Sequence, residues 1–370
     1  MSRLLITGGA GFIGSNFVHY WLDHHLEDMV VVLDSLTYAG NRANLALVED
    51  NPRLRFIKGD ILDQDLVEHL LRKQKLDTIV HFAAESHVDR SIHGPDTFIK
   101  TNIIGTHSLL KAAKAVWIDG VSDGLHPHRF HHISTDEVYG SLQPDAPPFT
   151  EESPYAPNSP YAASKAASDH LVRAYHHTYG LCVTMSNCSN NYGPYQFPEK
   201  LIPFMLTRAL AGDSLPVYGD GLNIRDWLYV KDHCRAVDQV VTSGKIGETY
   251  NIGGNNEQKN IDVVKMICRL LDETFAEDAA LGVRFPNAPF SLNRPAASLI
   301  TFVKDRQGHD RRYAIDTKKS EVKLNFKPKE SFETGIRHTI RWYLDNEPWW
   351  RSIMDGSYRK WINRQYQYNV

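Results

Sequence analysis

A glycine-rich turn near the N-terminus constrains the fold more than any other feature of the sequence. The apolar segment Arg3–Thr7 is typical of a strand, the run Gly8-Gly-Ala-Gly-Phe-Ile-Gly14 follows it, and Phe12–His24 has the spacing of a helix. The run fits both GxGxxG and GxxGxxG, which bring backbone close to a pyrophosphate at a helix N-terminus. Such a turn also occurs in proteins that bind no nucleotide, but the flanking strand and helix favour a dinucleotide site.

An acidic residue follows at the spacing that a dinucleotide site requires. Asp34 ends a second predicted strand 20 residues after Gly14. Its carboxylate can accept hydrogen bonds from ribose hydroxyls and would repel a 2′-phosphate. The next residues, Ser35, Leu36 and Thr37, supply no arginine that could attract one. We therefore expect the cofactor to be NAD and not NADP.

Short apolar runs alternate with amphipathic stretches through the first half of the chain. Such alternation indicates βαβ units, and the runs are apolar enough for strands that are covered on both faces. We predict an α/β fold: a Rossmann-type doubly wound parallel sheet with a smaller, mostly C-terminal α/β substrate domain. The predicted strands are Arg3–Thr7, Met29–Asp34, Leu54–Gly59, Thr78–Phe82, Arg129–Ser134 and Val183–Asn187, and the helices between them are Phe12–His24, Gln64–Lys73, Pro95–Ala115 and Pro160–Tyr179.

The alternation breaks down after about residue 190. We predict a cofactor domain over residues 1–190 with a return segment near 223–253, and a substrate domain over 191–222 and 254–370. Further helices are expected at Ile202–Ala211, Val230–Val241, Ile261–Phe275 and Phe332–Asp345, whereas the proline-rich segment Phe285–Leu299 has no assignment. The aromatic C-terminus is too apolar for a disordered tail, so we expect it to pack.

Polar residues follow the predicted strand Arg129–Ser134 and open the helix predicted at Pro160–Tyr179. Tyr161 and Lys165 are one helical turn apart, so the ammonium can depress the pKa of the phenol and make it a base. Thr135 supplies a hydroxyl at the edge where an open parallel sheet binds ligands. Tyrosine and lysine at this spacing also occur as a surface pair, but the upstream dinucleotide site favours catalysis.

Two adjacent carboxyl groups, Asp136 and Glu137, come directly after Thr135. Acidic residues there often cap a turn. Two carboxyl groups can also divide into a proton donor and a proton acceptor when their surroundings push their pKa values apart. Base, cation and paired carboxyls together predict a reaction with several proton transfers, more than the oxidation of an alcohol needs.

The composition excludes several other classes of protein. Of 370 residues, 42% are hydrophobic and 23% charged, as in an ordinary globular protein, and the net charge of -3 disfavours a nucleic-acid surface. The four cysteines lack CxxC spacing, the N-terminus shows no leader pattern, and no apolar stretch approaches a bilayer span. We expect a reduced, cytoplasmic protein that is neither secreted nor membrane-inserted.

A histidine cluster, His126, His128, His131 and His132, could suggest a metal site. Neighbouring residues of a strand point to opposite faces, so His131 and His132 cannot both ligate one ion. We therefore predict no metal. The alanines of the Tyr161 helix, at 162, 163, 166 and 167, can pack on the sheet or against a second copy of the chain.

The sequence contains six motifs: Thr-Gly-Gly-Ala-Gly-Phe-Ile-Gly (7–14), Ala-Ala-Glu-Ser-His-Val-Asp-Arg-Ser (83–91), Ser-Thr-Asp-Glu-Val-Tyr-Gly (134–140), Ser-Pro-Tyr-Ala-Ala-Ser-Lys (159–165), Asn-Cys-Ser-Asn-Asn-Tyr-Gly-Pro (187–194) and Ile-Arg-Asp-Trp-Leu-Tyr-Val (224–230). They resemble those of the dTDP-glucose 4,6-dehydratases, a family of extended short-chain dehydrogenase/reductases. The resemblance covers most of residues 1–345.

The resemblance implies a dehydration of a nucleotide-linked glucose. Tyr161, assisted by Lys165 and Thr135, removes the C4 hydroxyl proton while a hydride passes to NAD. Glu137 then removes the C5 proton, Asp136 protonates the departing C6 hydroxyl, and the hydride returns to C6. A homodimer formed through the Tyr161 helix and the helix predicted at Pro95–Ala115 is also implied.

The predicted ligand residues fall into two groups, some from the pattern and others from the resemblance. Those for the cofactor are Gly8, Gly11, Phe12, Ile13, Gly14, Asp34, Ser35, Leu36, Thr37, Asp60, Ile61, Phe82, Ala83, Ala84, Ser86, Thr101, Tyr161, Lys165 and Asn191. Those for the sugar nucleotide are Ser86, Thr135, Asn190, Lys200, Leu201, Pro216, Val217, Tyr218, Arg225, Asn260, Asp305, Arg306, Gln307, Gly308 and His309. For Arg225, a structural ion pair with Asp226 or Asp232 is the alternative.

Other functions remain open on the sequence alone. A sugar-nucleotide 4-epimerase needs the same NAD, Tyr161 and Lys165 but has no use for Asp136 and Glu137. A 4,6-dehydratase acting on another nucleoside diphosphate sugar is equally compatible with the residues, because nothing in the pattern reads the base. A non-catalytic NAD-binding regulator would not need the intact Thr135, Tyr161 and Lys165.

Overall fold

The structure, a computed structural model, describes residues 1–120, 128–305, 308–354, 358 and 362. These residues form the strands β1 (Arg3–Thr7), β2 (Met29–Asp34), β3 (Leu54–Lys58), β4 (Thr78–His81), β5 (Arg129–Thr135), β6 (Val183–Cys188), β7 (Asn190–Tyr192), β8 (Leu215–Tyr218), β9 (Ile224–Tyr229), β10 (Thr249–Ile252), β11 (Glu257–Lys259) and β12 (Ile300–Val303). The helices are α1 (Phe12–His24), α2 (Gln64–Lys73), α3 (Val88–His93), α4 (Pro95–Phe98), α5 (Thr106–Trp117), α6 (Pro160–Tyr179), α7 (Leu201–Ala211), α8 (Val230–Ser243), α9 (Asn260–Glu277), α10 (Ala280–Arg284), α11 (Lys318–Leu324), α12 (Phe332–Asp345) and α13 (Glu347–Ile353).

Seven parallel strands form one sheet in the order β3-β2-β1-β4-β5-β6-β10. The strand order reverses direction between β1 and β4, which is the switch point of a doubly wound sheet. Ligands bind outside the carboxyl ends of the strands at such a point. The predicted Rossmann-type parallel sheet is confirmed, and the first strand supplies the glycine turn to its crevice.

Apolar residues on both faces hold this sheet between two helical layers. Leu5 and Val31 pack with the buried sides of α2, α5 and α6. Leu4 and Val32 face the opposite way and pack with α1 and α8. Successive residues of a strand face opposite helical layers, and both layers are apolar. The strands therefore carry the continuous apolar runs seen in the sequence.

A second group of elements surrounds a separate apolar core. The buried faces of α7, α9 and α12 meet there, together with β8 and Trp350 of the C-terminal helix α13. Two small sheets, β11-β9-β7 and β12-β8, lie outside the large sheet. Between β9 and β11 the chain returns to the large sheet through α8, which packs on α1, and β10, which pairs with β6.

Most predicted elements agree with the structure to within two residues. The helix predicted at Pro95–Ala115 differs, since a π-helical stretch, Ile99–Gly105, separates α4 from α5. The unassigned segment Phe285–Leu299 contains two short 3₁₀ turns, Pro289–Leu292 and Ala296–Leu299. In the described residues, none of the helices combines the length and apolar character that a membrane span requires.

Candidate active site

In the glycine turn at the end of β1, neighbouring backbone atoms occupy the positions that side chains at Gly8 and Gly14 would need. Gly8 has φ +70°, and a Cβ there would lie 2.6 Å from the Ala83 nitrogen. A Cβ on Gly14 would lie 2.2 Å from the Gly8 carbonyl oxygen. Helix α1 starts at Phe12 with no side-chain cap, so its first N–H groups are directed to the crevice as an anion site.

Asp34 closes the same turn from the end of β2. Its Oδ2 accepts a hydrogen bond from Ala10 N at 2.9 Å, and its Oδ1 accepts one from Leu36 N at 2.8 Å. Burial raises the pKa of this carboxyl, and the two backbone N–H donors counteract that effect by stabilising its charge. Leu36 itself lies in the left-handed region, with φ +54°. A carboxylate fixed beside the turn fits the ribose of a bound NAD.

One cavity gathers nearly all of the residues predicted for the cofactor. Two of them lie elsewhere: Leu36 binds Asp34 through its backbone, and Asn191 donates its amide to Ser189 O at 3.0 Å. The predicted residues that line the cavity are Gly8, Gly11, Phe12, Ile13, Gly14, Asp34, Ser35, Thr37, Asp60, Ile61, Phe82, Ala83, Ala84, Ser86, Thr101, Tyr161 and Lys165. The turn, the fixed carboxylate and this shared lining fit a dinucleotide.

Several residues that line this cavity were missed from the sequence. Tyr38, Cys188 and Glu199 are examples. Arg90 joins two of them, because its guanidinium carbon lies 3.9 Å from the centre of the Tyr38 ring and its Nε donates to Glu199 Oε2 at 3.0 Å. Gln196 was missed as well; it lines the cavity and donates its side-chain amide to the backbone carbonyl of the predicted residue Asn191 at 2.9 Å.

The proton-transfer residues meet where β5 ends and α6 begins. Ser159 caps α6 by accepting a hydrogen bond from Ala162 N at 3.1 Å, and Pro160 occupies the first turn. Tyr161 therefore projects from the start of the helix toward the end of β5. The Thr135 hydroxyl lies close enough to the Tyr161 phenol to lower the pKa of that phenol. It donates a hydrogen bond to Asp136 Oδ1 at 3.3 Å.

The pKa of Tyr161 departs from the expectation based on the Tyr161–Lys165 spacing. Burial, followed by the Glu137 charge, raises the pKa of the phenol well above its usual range, while the nearby Thr135 hydroxyl lowers it. Lys165 Nζ donates to Ile133 O at 2.8 Å and lies 3.4 Å from His132 Nε2. The expected depression by Lys165 is wrong for the chain alone, because burial and a nearby carboxylate outweigh the lysine, whose ammonium binds β5.

Asp136 differs from Glu137 in its surroundings. Asp136 is 2% exposed, and its Oδ2 has no hydrogen-bond partner among the described residues. Burial first, and then the charges of Glu137 and Asp226, raise the pKa of Asp136 well above its usual range, although Arg225 lowers it. These effects favour the protonated, neutral form of Asp136. Glu137 is half-buried and lines a second cavity.

This second cavity adjoins the first and contains most of the residues predicted for the sugar nucleotide. Lys200 lines both cavities and donates its Nζ to Ser86 O at 2.8 Å. Ser86 itself lines the first cavity. The predicted residues in the second cavity are Asn190, Lys200, Leu201, Pro216, Val217, Tyr218, Arg225, Asn260 and His309.

Three predicted substrate residues lie beside this second cavity and two cannot be placed. Thr135 lies at the phenol, and Asp305 Oδ1 lies 2.6 Å from His309 Nδ1. Gly308 has φ +64° in the turn between them. Arg306 and Gln307 lie outside the described residues.

Arg225 lies at the base of the second cavity. Its guanidinium donates to Ile224 O at 2.7 Å and Asp310 O at 2.9 Å, and it stacks 4.3 Å from the Tyr313 ring centre. The two aspartates considered as partners engage other groups: Asp226 accepts from backbone N–H groups, and Asp232 pairs with Arg235 at 2.9 Å.

The histidines of β5 point to opposite faces, as strand geometry requires. His131 contacts Thr184 Oγ1 at 3.0 Å and Ser186 Oγ at 3.2 Å, whereas His132 contacts Lys165. His126 lies outside the described residues. Within the described part of the chain, no group of three or more His, Cys, Asp or Glu side chains could hold a metal ion.

Comparison with known proteins agrees with this geometry. A family model described as GDP-mannose 4,6 dehydratase matches residues 5–339. The dTDP-glucose 4,6-dehydratase of Neisseria meningitidis serogroup B is 54% identical over 359 residues, covering 97% of this chain and 98% of that protein. The dTDP-glucose 4,6-dehydratase 1 of Escherichia coli K12 is 52% identical over 373 residues, covering 99% of each chain.

Solved structures give the same result. The crystal structure of dTDP-glucose 4,6-dehydratase from Streptomyces venezuelae, with NAD among its bound ligands, matches with a TM-score of 0.82 and 49% identity, covering 95% of this chain and 99% of that one. A UDP-glucose 4-epimerase from Thermotoga maritima matches at a TM-score of 0.77 and 27% identity, covering 93% and 99%. Given the identity over nearly the whole chain, this protein belongs to the dTDP-glucose 4,6-dehydratase family.

Proposed function

We propose that the chain catalyses the NAD-dependent dehydration of dTDP-glucose to dTDP-4-keto-6-deoxyglucose. The observation that carries the proposal is the contrast between Asp136, which is buried and has a raised pKa, and the adjacent Glu137, which lines the second cavity. An acid and a base that follow one another in the chain, beside Tyr161, can remove water across C5 and C6 once C4 is a ketone. The names of the relatives support dTDP-glucose as the substrate.

Tyr161 is proposed to accept the proton of the C4 hydroxyl. Thr135 supports this role because its hydroxyl lowers the pKa of the phenol, which favours the ionised form. When bound, NAD⁺ supplies the ring that takes and returns the hydride, and brings positive charge to the cavity that Tyr161 lines. Lys165 holds α6 against β5 by its hydrogen bond to Ile133 O, and this contact positions Tyr161 at the carboxyl end of β5.

Glu137 and Asp136 are proposed to carry out the elimination. A ketone at C4 acidifies the C5 proton, which Glu137 removes. Asp136 donates its proton to the C6 hydroxyl, which leaves as water. Glu137 then returns its proton to C5, so that it ends as it began. Positioned groups of this kind typically contribute roughly 10²–10⁴-fold each to the rate.

The second cavity is proposed to hold the nucleoside diphosphate. Lys200 and Arg225 bring cationic groups to its lining, and Asn190 and Asn260 each have a carbonyl oxygen without a partner among the described residues. Amide groups with unused hydrogen-bonding capacity suit a polar ligand. This proposal includes the predicted ligand residues for cofactor and substrate. It also includes the division into two domains, one of residues 1–190 with 223–253 and the other of residues 191–222 with 254–370.

A homodimer is proposed for the assembly. Ile99 and Ile104 of the π-helical stretch are about half exposed, and Ala163 of α6 is exposed close by in the same helical layer. Exposed isoleucines beside small residues suit the close packing of helices from two chains. The cytoplasmic location also stays a prediction.

The experiment is an incubation of the purified chain with dTDP-glucose, followed by the alkaline absorbance of a 4-keto product. The chain should give the signal with dTDP-glucose in preference to UDP-, GDP- and CDP-glucose. A signal with another nucleotide sugar alone would keep the reaction but change the substrate. Conversion to the 4-epimer without a 4-keto product would favour the epimerase.

A further inference from the structure

The C-terminal helix α13 contacts a buried residue close to the glycine turn. Trp349 of this helix is half-buried and packs against the separate apolar core. Its indole Nε1 donates a hydrogen bond to Asn44 Oδ1 at 2.7 Å, although the two residues are 305 positions apart in the chain. Asn44 is 1% exposed and lies in the 3₁₀ helix Arg42–Val48, which packs on α1. The hydrogen bond therefore connects the separate core with the helical layer that carries α1.

Asn44 also binds the glycine turn itself. Its Nδ2 donates to Ala10 O at 2.8 Å, while Ala10 N donates to Asp34 Oδ2 at 2.9 Å. Ala10 is completely buried, and both of its backbone polar groups are thus held by side chains. Ala10 stands directly before Gly11 and the first helical residue, Phe12. Its position therefore bears on the anion site that the first N–H groups of α1 provide.

The backbone of Asn44 is fixed as well. Its carbonyl oxygen lies 2.8 Å from His19 Nε2, and its N–H donates to Asn41 O at 3.0 Å. The His19 ring stacks on Tyr195, and Tyr195 meets the Trp349 ring edge to face, with 5.9 Å between ring centres. The C-terminal helix therefore reaches α1 by two routes, one through aromatic rings and one through the Asn44 amide.

We propose that Asn44 is a positioning residue for NAD and that Trp349 sets the orientation of its amide. An asparagine amide has a donor end and an acceptor end. The indole N–H of Trp349 requires the acceptor end, so the donor end is directed to Ala10 O. Neither Asn44 nor Trp349 lines the cofactor cavity, so their effect on NAD passes through the glycine turn. The inference uses the binding of NAD and does not depend on the proposed dehydration.

The test measures the release of NAD from the purified chain, as the rate at which bound NAD exchanges with isotope-labelled NAD. It compares Trp349→Phe with Trp350→Phe. Trp350 is the matched control, because it is the next residue of α13 and its Nε1 donates to Tyr343 O at 2.8 Å in the separate core. Each variant loses one indole hydrogen bond and keeps an aromatic ring.

We expect Trp349→Phe to release NAD roughly three- to tenfold faster, the effect of one lost hydrogen bond. Trp350→Phe should change the rate less than about twofold, because its hydrogen bond lies outside the Asn44 network. Trp350 is 3% exposed, whereas Trp349 is half-buried. Trp350→Phe should therefore lose more thermal stability than Trp349→Phe, although it affects NAD less.

A second comparison asks whether Trp349 acts through Asn44. Asn44→Ala should release NAD roughly tenfold faster or more, because Ala10 O loses its side-chain donor. Adding Trp349→Phe to Asn44→Ala should then change the rate little. Such non-additivity is expected of two residues in one hydrogen-bond network.

Three outcomes would overturn the proposal. The first is a wild-type release rate in Trp349→Phe. The second is equal acceleration in Trp349→Phe and Trp350→Phe, which would indicate a general loosening of the C-terminal helix. The third is additive effects of Asn44→Ala and Trp349→Phe. Should Asn44→Ala fail to fold, as judged by circular dichroism, the two tryptophan variants still decide. Because the readout is NAD release, failure of the proposed dehydration is distinguishable from failure of this inference.

Discussion

Lys165 Nζ lies 3.4 Å from His132 Nε2, and the same ring nitrogen lies 3.2 Å from Asp169 Oδ1. Asp169 also accepts hydrogen bonds from Ser134 at 2.8 Å and Tyr155 at 3.0 Å. All three charged or titratable groups of this triad are almost completely buried. Burial lowers the pKa of Lys165 to about 8, and the Asp169 charge acts in the opposite direction.

Replacing Asp169 should change the pH dependence of catalysis. In Asp169→Asn the lysine loses its nearest carboxylate, so its pKa falls below about 8 and the ammonium is lost at a lower pH. If catalysis requires the ammonium, the alkaline limb of kcat/KM moves toward neutral pH. The His132 ring and Cys188 also face this lysine; burial lowers the pKa of His132, so the ring stays neutral in this range.

The control for that experiment is Asp169→Glu, which retains the charge. Its alkaline limb should stay near that of the wild type. An unchanged limb in Asp169→Asn would mean that Asp169 supports the fold without setting the charge of Lys165.

Removing both carboxyl groups should separate oxidation from dehydration. In Asp136→Asn with Glu137→Gln, the residues proposed for the C4 oxidation are intact but no acid or base acts at C5 and C6. We expect water loss to fall by at least roughly 10²–10⁴-fold, while NADH, seen by its near-ultraviolet absorbance, accumulates on the enzyme. Dehydration at the wild-type rate in this double variant would contradict the assignment.

Two glycines of the turn offer a matched pair for cofactor binding. A Cβ at Gly14 would lie 2.2 Å from Gly8 O, whereas a Cβ at Gly11 would lie 3.2 Å from the same atom. Overpacking of this kind typically costs about 1–3 kcal/mol, so Gly14→Ala should weaken NAD binding roughly tenfold or more. Gly11→Ala should weaken it less. Calorimetric titration with NAD measures both, and equal losses would argue against a steric cause.

The ion pair between Arg90 and Glu199 should contribute to stability. The Glu199 side chain is 1% exposed and lies 2.9 Å from Arg90 Nη2. Without its partner a buried carboxylate is strongly unfavourable, so Arg90→Met should lower the free energy of unfolding by roughly 2–4 kcal/mol.

Burial raises the pKa of Glu199 and Arg90 lowers it. Loss of Arg90 therefore raises that pKa further, and the stability loss should shrink as the pH falls and Glu199 takes up a proton. Urea denaturation at two pH values measures this. Adding Glu199→Gln to Arg90→Met should recover most of the lost stability. A double variant as unstable as Arg90→Met would show that the loss does not come from an unpaired Glu199 carboxylate.

The local features of the fold could be predicted because the sequence encodes them locally. The glycine turn follows β1 directly, and Pro160 marks the start of α6, so these elements and the Tyr161–Lys165 spacing follow from nearby residues. The short strands β7 and β9 could not be found in this way. They pair with each other across more than 30 residues, and neither carries a long apolar run.

The same distinction accounts for the parts of the site that were missed. Asp136 and Glu137 were found because they adjoin the strand end, but the raised pKa of Asp136 depends partly on Asp226, 90 residues away. Likewise the binding of Lys165 to His132 and Ile133 depends on how α6 packs on β5. Spacing along a helix sets a shared face and does not determine which group the side chain contacts.

The most direct test of the central claim follows deuterium from C4 of dTDP-glucose. With C4-deuterated substrate and NAD, mass spectrometry should show loss of one water, with the deuterium retained at C6 of the product. That result requires oxidation at C4, elimination across C5 and C6, and return of the same hydride within one site. A product of unchanged mass, or one that has lost the deuterium, would contradict the account.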